Sequence, residues 1–171
     1  AGAVAVALGR PILFRQRRAG HGGQVFQLVK FRSMAAAEGQ PLPDEARLSP
    51  FGRLLRRTRL DELPELWNIA RGEMSFVGPR PLLPETVEAM GPVGARRGQV
   101  RPGLTGWAQV NGNALLNDAD KLALDLWYLD NRSLTRDAKI ILRTFTMVTL
   151  GERVSPANIG RAYARVADRR G

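Results

Sequence analysis

Hydrophobic and polar positions along this chain fall into two rhythms. Residues 10–17 (RPILFRQR) are short, apolar and partly alternating, and residues 24–33 (QVFQLVKFRS) alternate again, so both are read as strands. The AGHGG stretch at 19–23 makes the turn between them. On the second strand Lys30 and Arg32 share one face and Phe31 points away. Residues 35–47, with Gly39, Pro41 and Pro43, predict a loop.

Beyond that loop the period becomes helical. Ser49 is placed to cap a helix with Pro50 at its first position, running to about Thr58. Phe51, Leu54 and Leu55 form its apolar stripe, ringed by Arg53, Arg56, Arg57 and Arg59. A basic amphipathic helix of this kind suits a membrane surface, and it equally suits packing on a core with a solvated Arg face. Asp61 is placed to cap the next helix, DELPELWNIARG, which Gly72 ends. A short strand at 75–77, a rigid GPRP loop at 78–81, a short helix at 85–90 and a loop with a strand at 100–111 follow. Asn117 caps a helix to about Asn131, with Asp120 in the capping-box position. Ser133 caps another to about Leu150, whose apolar face is Ala138, Ile141, Phe145 and Val148. From Gly151 the chain is basic and low in pattern, and reads as a tail. The predicted class is α+β: a small antiparallel hairpin or sheet with several amphipathic helices.

Length and composition narrow the chemistry. At 171 residues, 44% hydrophobic and 25% charged, one globular domain with a real core is expected. There is no Cys, which excludes disulfides, thiolate nucleophiles and cysteine zinc sites. The one His, His21, lies in the Gly-rich turn, which argues against a His-based triad or multi-His metal site. Acid–base and nucleophilic work therefore falls to carboxylates, hydroxyls or Lys. The net charge is +10, and it is clustered: residues 10–32 hold six Lys and Arg and no acid, residues 47–59 five and no acid. Two such blocks point to a phosphate-bearing partner or an anionic surface.

Three groups of residues answer that charge. Asp61 and Glu62 are adjacent carboxylates at the predicted helix start, where backbone N–H groups favour phosphate. One carboxylate can attack phosphorus to give an acyl phosphate, and the other can help hold Mg²⁺; the same pair would also serve as an ordinary cap. Arg80 stands between Pro79 and Pro81, so stiff backbone presents a guanidinium suited to bidentate phosphate contact, and Arg101-Pro102 repeats the theme. Lys30 and Arg32 make a further cationic pair. No Walker A or dinucleotide fingerprint is present.

The stretches RPILFRQRRAGHGGQVFQLVKFRSM, RLLRRTRLDELPELWNIARGEMSFVGPRPL, VRPGLTGWAQVNG and LWYLDNRSLTRDAKIILRT, in this order, resemble the monotopic phosphoglycosyl transferases, or bacterial sugar transferases. The resemblance covers nearly the whole chain. It implies a re-entrant membrane helix, Mg²⁺ and a ping-pong mechanism on the cytoplasmic face of a bacterial inner membrane. Asp61 would then be the nucleophile on the sugar-bearing phosphate of a UDP-sugar, releasing UMP, and polyprenyl phosphate would attack the covalent intermediate. By the same resemblance Glu62 would help hold Mg²⁺, Lys30, Arg56 and Arg80 match basic positions of the site, and Asp125 an acidic one. Arg32 and Arg101 complete the set expected to bind substrate. Residues 1–9, with AGAVAVAL, read as the end of a longer hydrophobic re-entrant segment, 10–150 as the catalytic domain and 151–171 as the tail. The family commonly has Arg after the NG of WAQVNG, where this chain has Asn113.

Two other classes compete. A basic nucleic-acid-binding module fits the charge, but aromatic residues are only 6%, no RNP-like or zinc pattern appears, and the acidic pair would repel a phosphodiester backbone, so no nucleic-acid partner is expected. A non-catalytic membrane adaptor would also carry the charge. The sugar, the pathway and the oligomeric state are left open by the sequence.

Overall fold

A computed structural model describes residues 2–34 and 47–168, so the loop predicted over 35–47 lies outside the described residues apart from Arg47. The elements are α1 (Gly2–Leu8), β1 (Leu13–Ala19), β2 (Val25–Phe31), α2 (Pro50–Arg57), α3 (Glu65–Ala70), β3 (Ser75–Val77), α4 (Pro84–Ala89), α5 (Pro92–Arg97), β4 (Gly103–Thr105), α6 (Asp118–Asn131), α7 (Leu134–Leu150) and α8 (Pro156–Asp168). The class is α+β. Among the described residues no helix is long and apolar enough to cross a membrane.

The hairpin forms as its alternation predicts, with Leu13 opposite Phe31 and Ala19 opposite Val25. Its first strand begins three residues later than the sequence suggests, after Pro11, which has no N–H to give to a ladder. Phe26 and Leu28 point into a small core with Met74 and Ile69, which ties the hairpin to α3.

Ser49 caps α2, its hydroxyl accepting from the Gly52 N–H at 3.0 Å. A Cβ on Gly52 would stand 1.9 Å from the Ser33 carbonyl oxygen, so only glycine lets α2 sit against the end of the hairpin. The predicted stripe divides there: Leu55 is buried, Leu54 is exposed and Phe51 lies between.

The second sheet departs from the antiparallel expectation. Strands β3 and β4 pair in parallel, Ser75 with Gly103 and Val77 with Thr105, because α4 and α5 supply the crossover that parallel pairing needs.

The main core gathers Val77, Trp107, Leu116, Leu124, Tyr128, Ile140 and Ala162. Helix α7 meets it with a face other than the predicted one. Ile140 is buried, whereas Phe145 and Leu142 are each 68% exposed. The inward side of α7 faces two stacked tryptophans, Trp107 and Trp127, 5.0 Å apart between centroids. Arg136 covers Trp127 at 4.7 Å and Arg143 covers Trp107 at 5.3 Å, cation–π contacts that let the basic side of α7 lie inward. The low-pattern tail is also corrected: residues 156–168 form α8, which buries Ala162 and hydrogen-bonds Tyr163 Oη to Asp120 of α6 at 2.9 Å.

Candidate active site

The acidic pair sits in a tight corner between α2 and α3. Helix α2 ends at Arg57 with Thr58 as its C-cap, and Arg59 then takes a left-handed backbone (φ 57) that no glycine relieves. A 3₁₀ turn over Leu60–Glu62 follows, and α3 begins only at Glu65, with Pro64 before it. Asp61 is therefore not the cap of a helix. The six-residue α3 starts four positions beyond it, so side-chain cations rather than a helix terminus must attract an anion here.

Those cations are present. Lys30, from β2, approaches Glu62 Oε1 at 3.2 Å and Glu65 Oε1 at 3.0 Å. Arg59 Nη1 donates to both Glu62 oxygens at 3.2 Å. Arg80 Nη1 stands 3.6 Å from Glu62 Oε1 while its side chain is 45% exposed. Arg56 donates from Nε to Ser33 Oγ at 3.0 Å and lies close enough to Asp61 to stabilise its charge. The hairpin, the α2–α3 corner and the 78–81 loop thus converge on one spot.

The three acids differ in basicity. Burial, reinforced by the neighbouring Glu62, raises the Asp61 carboxyl above its ordinary range against the pull of Lys30 and Arg56. Burial also acts on Glu62, but Lys30, Arg59 and Arg80 together outweigh it and hold that carboxyl below its ordinary range. Glu65 is pushed up to about 7, mainly by burial, with Lys30 opposing. Glu62 is thus an anchored anion. Asp61 has no ion-pair partner among the described residues, so its oxygens are not committed to a cation as those of Glu62 are.

Among the described residues no three acidic or imidazole side chains form a ready-made metal cage. The donor chemistry nonetheless fits Mg²⁺, which takes one or two carboxylates and completes its shell from phosphate and water. Asp61 offers an unpaired carboxylate, and Glu62 offers a second oxygen donor on the adjacent residue.

The other predicted site residues lie elsewhere. Arg32 donates to the Leu8 carbonyl at the end of α1. Arg101 lines a separate cavity of about 520 Å³ with His21, Tyr128 and Arg132. Asp125 is buried at 3% exposure and accepts from Arg97 Nε at 2.8 Å. In turn, Arg59, Glu65 and Arg97 belong to or support the site and escaped sequence reasoning. Arg59 and Glu65 stand three residues either side of Glu62, a spacing that would have placed them beside it on a helix. Asn113, at φ 45, donates to Glu152, whose carboxylate also stands 3.6 Å from Arg59 Nη2.

A carboxylate without an ion-pair partner next to an anchored one, in a ring of Lys and Arg, has the charge and donors that a phosphoryl group can use. The sequence model described as bacterial sugar transferase matches residues 1–151, and the chain belongs to the bacterial sugar transferase family. It is 43% identical over 158 residues to the uncharacterized sugar transferase EpsL of Bacillus subtilis, covering 91% of this chain and 78% of that one. It is 44% identical over 147 residues to the UDP-glucose:undecaprenyl-phosphate glucose-1-phosphate transferase of Caulobacter vibrioides, covering 78% of this chain and 55% of that protein. A third relative is the UDP-N-acetylgalactosamine-undecaprenyl-phosphate N-acetylgalactosaminephosphotransferase of Aeromonas hydrophila, 36% identical over 154 residues, covering 82% of this chain and 36% of the relative.

Proposed function

We propose that this chain transfers a sugar 1-phosphate from a UDP-sugar to a polyprenyl phosphate. The observation that carries the reading is the Asp61–Glu62 pair, one carboxylate unpaired and the other anchored among Lys30, Arg59 and Arg80. The names of the relatives from Caulobacter and Aeromonas, both acting on undecaprenyl phosphate, supply the substrate class.

In this mechanism a carboxylate oxygen of Asp61 attacks the phosphorus that bears the sugar. The bond from that phosphorus to the bridging oxygen breaks, and UMP leaves with the electron pair. A phosphate oxygen of the polyprenyl carrier then attacks the same phosphorus and breaks the acyl-phosphate bond. This restores the Asp61 carboxylate and yields polyprenyl diphosphate sugar. Lys30, Arg56 and Arg80 hold the non-bridging oxygens and stabilise the charge that builds on them. Glu62 keeps Lys30 and Arg80 in place before substrate arrives, and Ser33 holds Arg56. Asp61 and Glu62 would hold Mg²⁺, which supplies charge neutralisation at the diphosphate when bound.

The carrier's hydrocarbon chain requires a site at a lipid surface. Around the acidic corner Leu60, Leu63, Leu66 and Trp67 are 42–62% exposed, an apolar rim. Leu54 joins it from α2, between the exposed Arg53, Arg56 and Arg57. Apolar side chains ringed by cations suit an anionic leaflet, and the cytoplasmic face of the bacterial inner membrane is the placement we infer.

The test is UMP release from a panel of UDP-sugars, with polyprenyl phosphate in anionic vesicles. UMP should appear with at least one sugar, faster on anionic than on neutral vesicles at low salt, and Asp61→Asn should lower the rate about a thousandfold or more. A nucleic-acid-binding module or an adaptor would release no UMP with any donor. Equal rates on both vesicles would remove the anionic-surface reading and leave the chemistry standing.

A further inference from the structure

The loop that presents Arg80 is clamped at four successive carbonyl oxygens, each by a different donor. The Pro79 carbonyl accepts from the Gly103 N–H at 3.0 Å, and the Leu82 carbonyl from the Ala19 N–H at 2.9 Å. The two between them accept from arginine side chains: Pro81 from Arg18 Nη1 at 3.2 Å, and Arg80 itself from Arg97 Nη2. Arg97 is 8% exposed, and its Nε donates to Asp125 Oδ2 at 2.8 Å. Asp125, on α6, is 3% exposed, too buried to meet a phosphate oxygen from solvent.

From this geometry we infer that Asp125 and Arg97 are positioning residues: they fix the backbone from which the Arg80 guanidinium meets the donor phosphates, and neither touches substrate. The inference rests on the phosphate role assigned to Arg80 above. A guanidinium suits this task because it donates in two directions at a fixed angle. Nε is spent on the carboxylate, Nη2 on the carbonyl, and the plane between them transmits the seat of α6 to the loop. A lysine at 97 could still neutralise Asp125 but could not span both acceptors. Buried ion pairs contribute little to stability over apolar residues of similar size, so a role in orientation better accounts for a charge pair at this depth.

Three variants separate orientation from folding. Arg97→Lys keeps the charge balance; Arg97→Met with Asp125→Leu removes both charges and leaves neither unpaired. In the intact protein both should show cooperative unfolding, with kcat/KM for the UDP-sugar lowered roughly tenfold to a hundredfold, the scale of a misplacement near 1 Å. The third, Arg80→Ala, should cost far less in either background than in wild type, because the side chain it removes is already misplaced. The activity-free readout is the Arg80 guanidinium NMR signal: one sharp Nε–Hε resonance in wild type, broadened in Arg97→Lys. A sharp, unshifted signal in Arg97→Lys, or effects of Arg80→Ala and Arg97→Lys that simply multiply, would overturn the positioning role. If wild type released no UMP, the functional reading would fail while the NMR comparison still decided whether Arg97 orders Arg80.

Discussion

Two acid–base clusters in this molecule use the same residue types to opposite ends. At the α2–α3 corner three acids, Asp61, Glu62 and Glu65, meet four cations in a partly open setting, and Glu62 is held below its ordinary range because Lys30, Arg59 and Arg80 together outweigh its burial. Between α5 and α6 one buried acid meets one buried cation, and burial leaves Asp125 above its ordinary range although Arg97 pulls the other way. The first cluster has charge to spare for an incoming phosphate, and its Arg80 is half exposed. The second is committed within the fold: Arg97 spends Nε on Asp125 and Nη2 on the Arg80 carbonyl, and both side chains are buried. Charged residues near a site are thus sorted by how many partners they already have, not by their type.

Breaking the closed cluster should cost most in stability. Asp125→Ala leaves Arg97 charged and buried without a partner, and unfolding free energy should fall by about 3–5 kcal/mol in urea titrations. A loss under 1 kcal/mol would mean that the pair is not closed to water. In the open cluster the effect should be one of pH. Burial raises Glu65 from 4.5 to about 7, so its protonated form is the one the fold prefers. Stability is then fully present below 4.5 and is lost as pH rises through about 7, on the order of 3 kcal/mol over the window. Glu65→Gln should abolish that slope, making the variant relatively more stable at pH 8 than at pH 5. Parallel pH profiles for variant and wild type would contradict it. Arg80→Lys should have the smallest effect: kcat/KM should fall about 10- to 150-fold for the loss of one charged hydrogen bond, about 1.5–3 kcal/mol. Its melting temperature should stay near that of wild type, since Arg80 is a loose neighbour of Glu62.

Local signals were legible in the sequence. Ser49, Asn117 and Ser133 each accept a backbone N–H three residues on, from Gly52, Asp120 and Arg136, as their capping pattern predicts. The hairpin and the convergence of Lys30, Glu62 and Arg80 follow from short-range pattern and from family resemblance. What failed depended on distant partners. The apolar stripe of α7 was visible, but not that Arg136 and Arg143 on its other side would pack on Trp127 and Trp107 while the stripe faces outward. The partnership of Arg97 with Asp125 joins residues 28 positions apart on separate helices, and no local spacing signals it. Helix α8 carries Ile159, Ala162 and Val166 at helical spacing, a pattern hidden by the basic residues among them.

The central claim is that Asp61 carries the phosphosugar between the two substrates. Intact-protein mass spectrometry with a UDP-sugar the protein uses, Mg²⁺ and no polyprenyl phosphate tests it directly. Wild type should gain the mass of one sugar phosphate, peptide mapping should place it on Asp61, and addition of polyprenyl phosphate should remove it. An adduct on another residue, or undiminished turnover by Asp61→Asn, would contradict the account.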